Sequence, residues 1–438
     1  MSKATTDEVI GRNGVVITKK TTDGAGFRTY EVHQRERVGE STEKIKPQEL
    51  ISDEYREDPY PVLETLRENY PFYRNWNSNN YWVTRYNDVT SIFADEANFE
   101  SRTNAWRYGL YDLGRDFGDH IDVLRVEERQ TDLMAESLAN NLAEALSELD
   151  HPDLVQDFSG PFAAKLLSTL FGVPEEREED FTRSYWAMHR GANWSPQLQE
   201  EGRRAIQRLI ELFEPLIAAR RGEPREDIVS AMLEADESVT SSDVVATLLE
   251  RDFETLHGAL ANLWYLLMTH PDEFEKAKSD ARLMKLAYLE TIRHSTPTLS
   301  AERFARHEVE RFGKLIPQGA LLICSAAAAN RDPRIFSDPA RFIVDRKDIC
   351  QREPRGQYRA DGLASGIAFG LGKPSIHPAV PEDRPRSRYA LTRDTVVTAS
   401  MALVETIPHL SLVEGAEPKL ASLTVGEMHT CWSLPVVL

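Results

Sequence analysis

The sequence predicts a mainly α-helical protein, and three observations carry that expectation. Residues 154–235 keep helical apolar spacing almost throughout, and Leu166–Leu170 run into Phe171-Gly172-Val173-Pro174, a glycine and proline that end a helix. Within that region Ile206, Leu209, Ile210, Phe213 and Leu216 share one face of a helix over Arg203–Arg221. A long central helix is expected from Ser242 to Thr269.

The other elements follow in order. In residues 1–45 two β-prone runs, Val15–Thr18 and Phe27–Val32, flank Asp23-Gly24-Ala25-Gly26. They read as a hairpin arm that grips a partner, or as a mobile tail, and both readings stay open. From Asp58-Pro59-Tyr60-Pro61 the pattern turns globular: Val62, Leu63 and Leu66 have helical spacing, Tyr81–Thr84 reads as a strand, and Asp88–Phe93 as a short helix. The acidic run Glu175–Asp180 suits a helix start.

Composition narrows the function. Asp plus Glu number 71 against 52 Lys plus Arg, so the net charge of −19 repels nucleic acid and anionic membranes. Cys324, Cys350 and Cys431 show neither disulfide density nor C-x-x-C spacing, which fits a reducing cytoplasm. No apolar run approaches the ~20 residues that span a bilayer. Metalloprotease and serine-hydrolase signatures do not occur, and Gly370-Leu371-Gly372-Lys373 has the wrong spacing for a phosphate loop. The helical histidines His257 and His294 read as satisfied polar residues rather than ligands.

Glu290–Arg293, Ile316–Gly319, Ala329–Pro333 and Ala368–Gly372 follow one another in an order that resembles the motifs of the bacterial soluble cytochromes P-450. Glu290-Thr291-Ile292-Arg293 matches the Glu-x-x-Arg of that superfamily. Ile316-Pro317-Gln318-Gly319, Ala329-Asn330-Arg331-Asp332-Pro333, Phe336, Asp338-Pro339 and Phe342 match its strand and meander. Ala368-Phe369-Gly370-Leu371-Gly372 matches the front of its haem loop. The resemblance covers about Asp58–Leu438 and implies one P-450-type domain over residues 46–438, a large helical region with a smaller β-sheet region. Glu290, Arg293, Asn330, Arg331, Phe342 and Phe369 would support that fold.

The resemblance fails where the family does its chemistry. Ile376 stands in place of the haem-ligating cysteine, and an aliphatic side chain has no lone pair for iron. Glu127 and Thr131 take the places of propionate-binding His and Arg, with Arg129 a substitute under another register. Arg251 and Asp252 replace the small pair before the acid and alcohol Glu254 and Thr255. Only Arg303 keeps the place of a haem contact. The residues therefore lead us to expect no cofactor, metal or catalytic activity. The expected role is that of an auxiliary protein which stabilises or activates a pathway enzyme, a true cytochrome P-450 or a glycosyltransferase. The precedent is the cysteine-less homologues that activate glycosyltransferases in antibiotic biosynthesis. The alternative is an enzyme, either with haem held by His377 or haem-independent with Arg251, Asp252, Glu254 and Thr255 as acid–base groups. Pro378–Tyr389, inserted before a last helix at Leu391–Thr406, is expected to be an exposed basic loop.

Overall fold

The computed structural model describes residues 7–10, 15–21, 28–34, 50, 52–75, 78–192, 195–251, 253–349, 385–386, 388–423 and 428–438. The haem-loop resemblance, with Phe369, Ile376 and His377, lies outside the described residues. Near the N-terminus β1 (Asp7–Ile10), β2 (Val15–Thr21) and β3 (Arg28–Gln34) form an antiparallel sheet with β2 in the centre. Its register aligns Val9, Ile17 and Val32 across the three strands.

Beyond this sheet, α1 (Asp53–Glu57) is capped by the Ser52 hydroxyl, and α2 (Tyr60–Asn69) begins at a proline pair. The hairpin β4 (Phe72–Asn75) and β5 (Asn80–Val83) leads to α3 (Tyr86–Ala94), whose first N–H is held by the Asp332 carboxylate at 3.1 Å. Next come the short β6 (Phe99–Glu100), α4 (Asn104–Tyr108) and the long α5 (Ile121–Ser147). A π-helical turn at Leu154–Ser159 runs into α6 (Gly160–Leu170), which ends at Gly172 with φ 70°. An alanine there would be strained by the backbone and would also press on Arg220 and Asp227, a buried ion pair at 2.5 Å.

The helices α7 (Glu178–Gly191) and α8 (Pro196–Gly222) pack along each other, and Tyr108 explains how closely. Its phenol donates to the Met188 carbonyl in a slot left open by Gly191 and Gly202, where either added Cβ would strike the phenol oxygen. Gly202→Ala is therefore expected to cost about 1–3 kcal/mol, measurable as a lowered urea midpoint. The companion Gly202→Ala/Tyr108→Phe, which clears the oxygen, should recover part of that loss.

After α9 (Ile228–Ala235), capped by Asp227, the expected central helix arrives in two pieces. They are α10 (Ser241–Leu249), started by a Thr240–Asp243 capping box, and α11 (Phe253–Thr269). Then follow α12 (Pro271–Ala277), α13 (Ala281–His294), β7 (Ser300–Ala305), β8 (Val309–Arg311), β9 (Lys314–Ile316), β10 (Leu321–Ser325) and α14 (Ala326–Asn330). The principal sheet has the order β4-β5-β10-β7-β6, with β10 parallel to β5 and its other pairings antiparallel. Last come α15 (Arg388–Thr406) and the short strands β11 (Ser411–Leu412), β12 (Leu420–Ser422), β13 (His429–Cys431) and β14 (Val436–Val437).

The Glu-x-x-Arg pair forms the most saturated buried ion network among the described residues. Both side chains have 0% exposure, and two hydrogen bonds of 2.7 Å join Arg293 to Glu290. Arg293 also donates to the carbonyls of Asn330, Pro339 and Arg341, while Arg346 donates to Glu290 at 3.1 Å. The Asn330 amide donates to Ile292, and Arg331 donates to the His294 carbonyl from over the Tyr60 ring. Phe342 lies against the rings of His294 and His270. These residues fasten α13, α14, α2 and the meander together; buried charges are tolerated because their hydrogen-bonding capacity is used.

Candidate functional site

The site is built around the interruption between α10 and α11. Helical geometry would leave the backbone of residues 249–251 with partners only inside the helix, but polar groups there are drawn outward. The Glu250 carboxylate accepts from Ala105 N at 3.2 Å, and Asn104 caps the α10 end by donating to the Leu249 carbonyl at 2.9 Å. The Tyr185 phenol on α7 donates to the Arg251 carbonyl at 3.2 Å. Two neighbouring elements, α4 and α7, thus engage polar groups at the end of α10.

Arg251 is 1% exposed, and its Nη1 donates to Glu127 Oε2 at 2.6 Å. Glu127 lies on α5 in an i, i+4 stripe of buried residues, Val123, Glu127, Thr131, Ala135, Ala139 and Ala143. The alanines let α5 pack closely on α15, and the same geometry forces the Glu127 carboxylate inward. Burial lowers the Arg251 pKa, with Glu127 acting against that shift. Burial also raises the carboxyl pKa of Asp116, near Arg251 and Arg388, and that of Glu250.

The sequence-derived candidates therefore separate. Arg251 meets Glu127, the residue read from sequence as facing a propionate. Thr255 is buried at the start of α11, and the side chains of Asp252 and Glu254 lie outside the described residues. Arg129 is half exposed and paired with Glu226, a surface ion pair. Arg303 lies over the Phe93 ring at 4.5 Å and donates to the Glu302 carbonyl, while Glu302 pairs with Arg107. The expected free basic loop is corrected at Arg386, which the sequence left as an exposed cation. Its guanidinium is spent on Glu128, Asp132 and Asp394 at 2.6–3.0 Å, anchoring the chain to α5 and α15. Glu127, the partner of Arg251, and Glu128 and Asp132, partners of Arg386, were missed because they lie more than a hundred residues away; the acid within the Val123–Ala143 stripe was the available signal.

Two buried histidines beside the site, His189 and His257, are held neutral, their pKa values pulled down by burial to about 4. Because the unfolded side chains titrate near 6.5, this contribution to stability is complete above pH 6.5 and is lost as pH falls toward 4. Each is expected to cost about 2 kcal/mol between pH 6.5 and 5, partly offset by the raised carboxyls of Asp116 and Glu250. Urea midpoints measured across that range should fall with acid, and His257→Phe should flatten the dependence.

No family model matches the chain. The fold is that of the cytochromes P-450. A cytochrome P-450 BioI bound to a fatty-acid-loaded acyl carrier protein superposes with TM-score 0.71 at 22% identity, over 88% of this chain and all of that one. The cytochrome P-450 PksS of the Bacillus subtilis bacillaene polyketide synthase gives 0.69 at 22% identity, over 90% of this chain and 100% of its own. By sequence, the chain is 30% identical over 256 residues to 6-deoxyerythronolide B hydroxylase of Saccharopolyspora erythraea, covering 56% of this chain and 60% of that protein. It is 29% identical over 371 residues to epothilone C/D epoxidase of Sorangium cellulosum, covering 74% and 82%. The chain is thus similar in fold to cytochromes P-450 and in sequence to enzymes of bacterial secondary metabolism. Among the described residues no helix is long and apolar enough to cross a membrane.

The relatives correct one expectation. Ile376 led to a prediction of no cofactor, but the sequence relatives and structural neighbours are cytochromes P-450, which point to haem as the group of the class. Among the described residues, Glu127 is paired with Arg251, and Arg303 lies over Phe93 and donates to a backbone carbonyl. The described cysteines, Cys324 and Cys431, are buried thiols pushed up to about 12, so neither offers a thiolate.

Proposed function

We propose that the chain acts as an auxiliary protein that binds a pathway enzyme, a cytochrome P-450 or a glycosyltransferase, and stabilises or activates it. The observation that carries this reading is the buried Arg251–Glu127 ion pair in the break of the central helix. The segment where catalytic relatives would keep small residues is filled by a charge pair that ties α5 to the α10–α11 junction. Ile376 at the ligand position of the sequence points the same way. A binding role needs surface rather than a reacting centre, ~800 Å² per partner for a specific interface, and is compatible with haem being bound or not. Residues 1–45, with their three-stranded sheet, are offered as the arm for that partner, and residues 46–438 as the single P-450-type domain.

Co-expression with the neighbouring pathway enzyme, followed by size exclusion and assay of that enzyme, tests the reading. Co-elution with raised yield or turnover of the partner is expected; separate elution and unchanged partner activity overturn it.

The relatives favour a second reading, a haem-loaded oxygenase, since the hydroxylase and the epoxidase are catalysts by name. Absorption spectra of protein from haem-supplemented cells, reduced and with carbon monoxide, distinguish the two. A stoichiometric Soret band with substrate turnover would establish the enzyme reading.

A further inference from the structure

Helices α6 and α7 do not close on each other along their whole length. Between them lies a cleft of about 230 Å³, partly open to solvent. Leu167 on α6 and Phe181 and Tyr185 on α7, all buried, make its floor, while the partly exposed Ala164, Thr182 and Trp186 stand at its mouth. The opening has a local cause. Alanine at 164 and threonine at 182 are too short to fill the space that the neighbouring aromatic rings hold open.

Size decides the kind of occupant. Pockets for whole small molecules run to about 300–1,000 Å³. A smaller cleft with aromatic walls suits a single apolar side chain, the kind of anchor that a protein partner buries at the centre of an interface.

Charge decides what surrounds that anchor. The acidic run Glu175–Asp180 leads directly into the α7 face that lines the cleft, since Glu178 precedes Phe181 and Thr182 by three and four residues. Glu178 accepts from Lys165, which follows Ala164 on α6, and so ties the two helices beside the cleft. Glu175, Glu176, Glu179 and Asp180 are exposed, and the last two share Arg183 and Arg177 in surface pairs. The cleft is therefore bordered by more acid than base, and the net charge of −19 adds a long-range pull on a basic surface.

We propose that the α6–α7 cleft is a docking point for the partner enzyme, taking one apolar side chain from a basic segment whose cations face Glu175–Asp180. This deepens the partner-binding role and rests on it.

The test uses the full chain and three fluorescein-labelled synthetic helices, read by anisotropy: one of lysine and leucine, one with serine for leucine, and one with glutamate for lysine. The lysine–leucine helix should bind saturably at one site, more weakly as salt rises, and its two counterparts at least tenfold more weakly. Ala164→Trp, which fills the cleft from its mouth, should weaken that binding at least tenfold with an unchanged circular dichroism spectrum. Should it fail to fold, the smaller change Thr182→Leu at the same mouth takes its place. No saturable binding, equal binding of either counterpart, or unchanged affinity in the folded cleft variant would each overturn the docking point. Co-elution with the pathway enzyme separates the two failures: if Ala164→Trp co-elutes as well as the parent chain, the cleft is wrong and the auxiliary role stands, whereas a parent chain that does not co-elute overturns both.

Discussion

Replacing Arg293 with leucine is expected to destabilise the protein by about 3–5 kcal/mol, because Glu290 would remain as a buried carboxylate with Arg346 and the Ile343 N–H as its remaining donors. The loss extends beyond one ion pair. The carbonyls of Asn330, Pro339 and Arg341 lose the donor that holds the meander against α13. Since a domain has only about 5–15 kcal/mol to lose, the soluble yield should drop sharply. Glu290→Gln keeps the shape but strips the charge between Arg293 and Arg346, and is expected to fall in the same range. Urea unfolding followed by circular dichroism checks both; a shift below about 1 kcal/mol would show that the network contributes specificity rather than stability.

The second large effect is expected at the helix break. Glu127→Leu alone leaves Arg251 buried without its carboxylate, and Arg251→Met alone leaves Glu127 likewise. Each single change is expected to cost about 3–5 kcal/mol, whereas the double variant should lie close to the parent, since well-packed apolar pairs replace buried ion pairs at little cost. A double-mutant cycle on urea midpoints measures the coupling. Additive losses would mean that the two side chains act through other neighbours.

Much of the architecture was legible because its signals are local. Glycine and proline after Leu170, the apolar face of the Arg203–Arg221 segment and the i, i+3 spacing of Glu290 and Arg293 each reflect the period of a helix. The ordered motifs from Glu290 to Phe342 led to the cytochrome P-450 fold that the structural neighbours show. The site was less legible. The sequence placed charged residues at 251 and 252 within one expected helix, but nothing local to them says that the helix stops there, or that Arg251 crosses to α5. Arg386 was read as a free cation because its three carboxylate partners sit on α5 and inside α15. The inference to a missing cofactor rested on Ile376 together with Glu127, Thr131, Arg251 and Asp252, and the relatives point instead to haem.

By itself, then, the sequence determined several of the helices, the end of the one before Gly172 and the Glu290–Arg293 clamp, since backbone geometry and apolar periodicity act over a few residues. Only the tertiary structure decided which buried charges meet. A carboxylate at position 127 is read alone as hostile to a propionate; beside Arg251 it is half of an ion pair, because α5 packs with that face turned inward against the break between α10 and α11. Charge pairing across more than a hundred residues depends on helix packing, and packing is set by the whole core rather than by any local stretch.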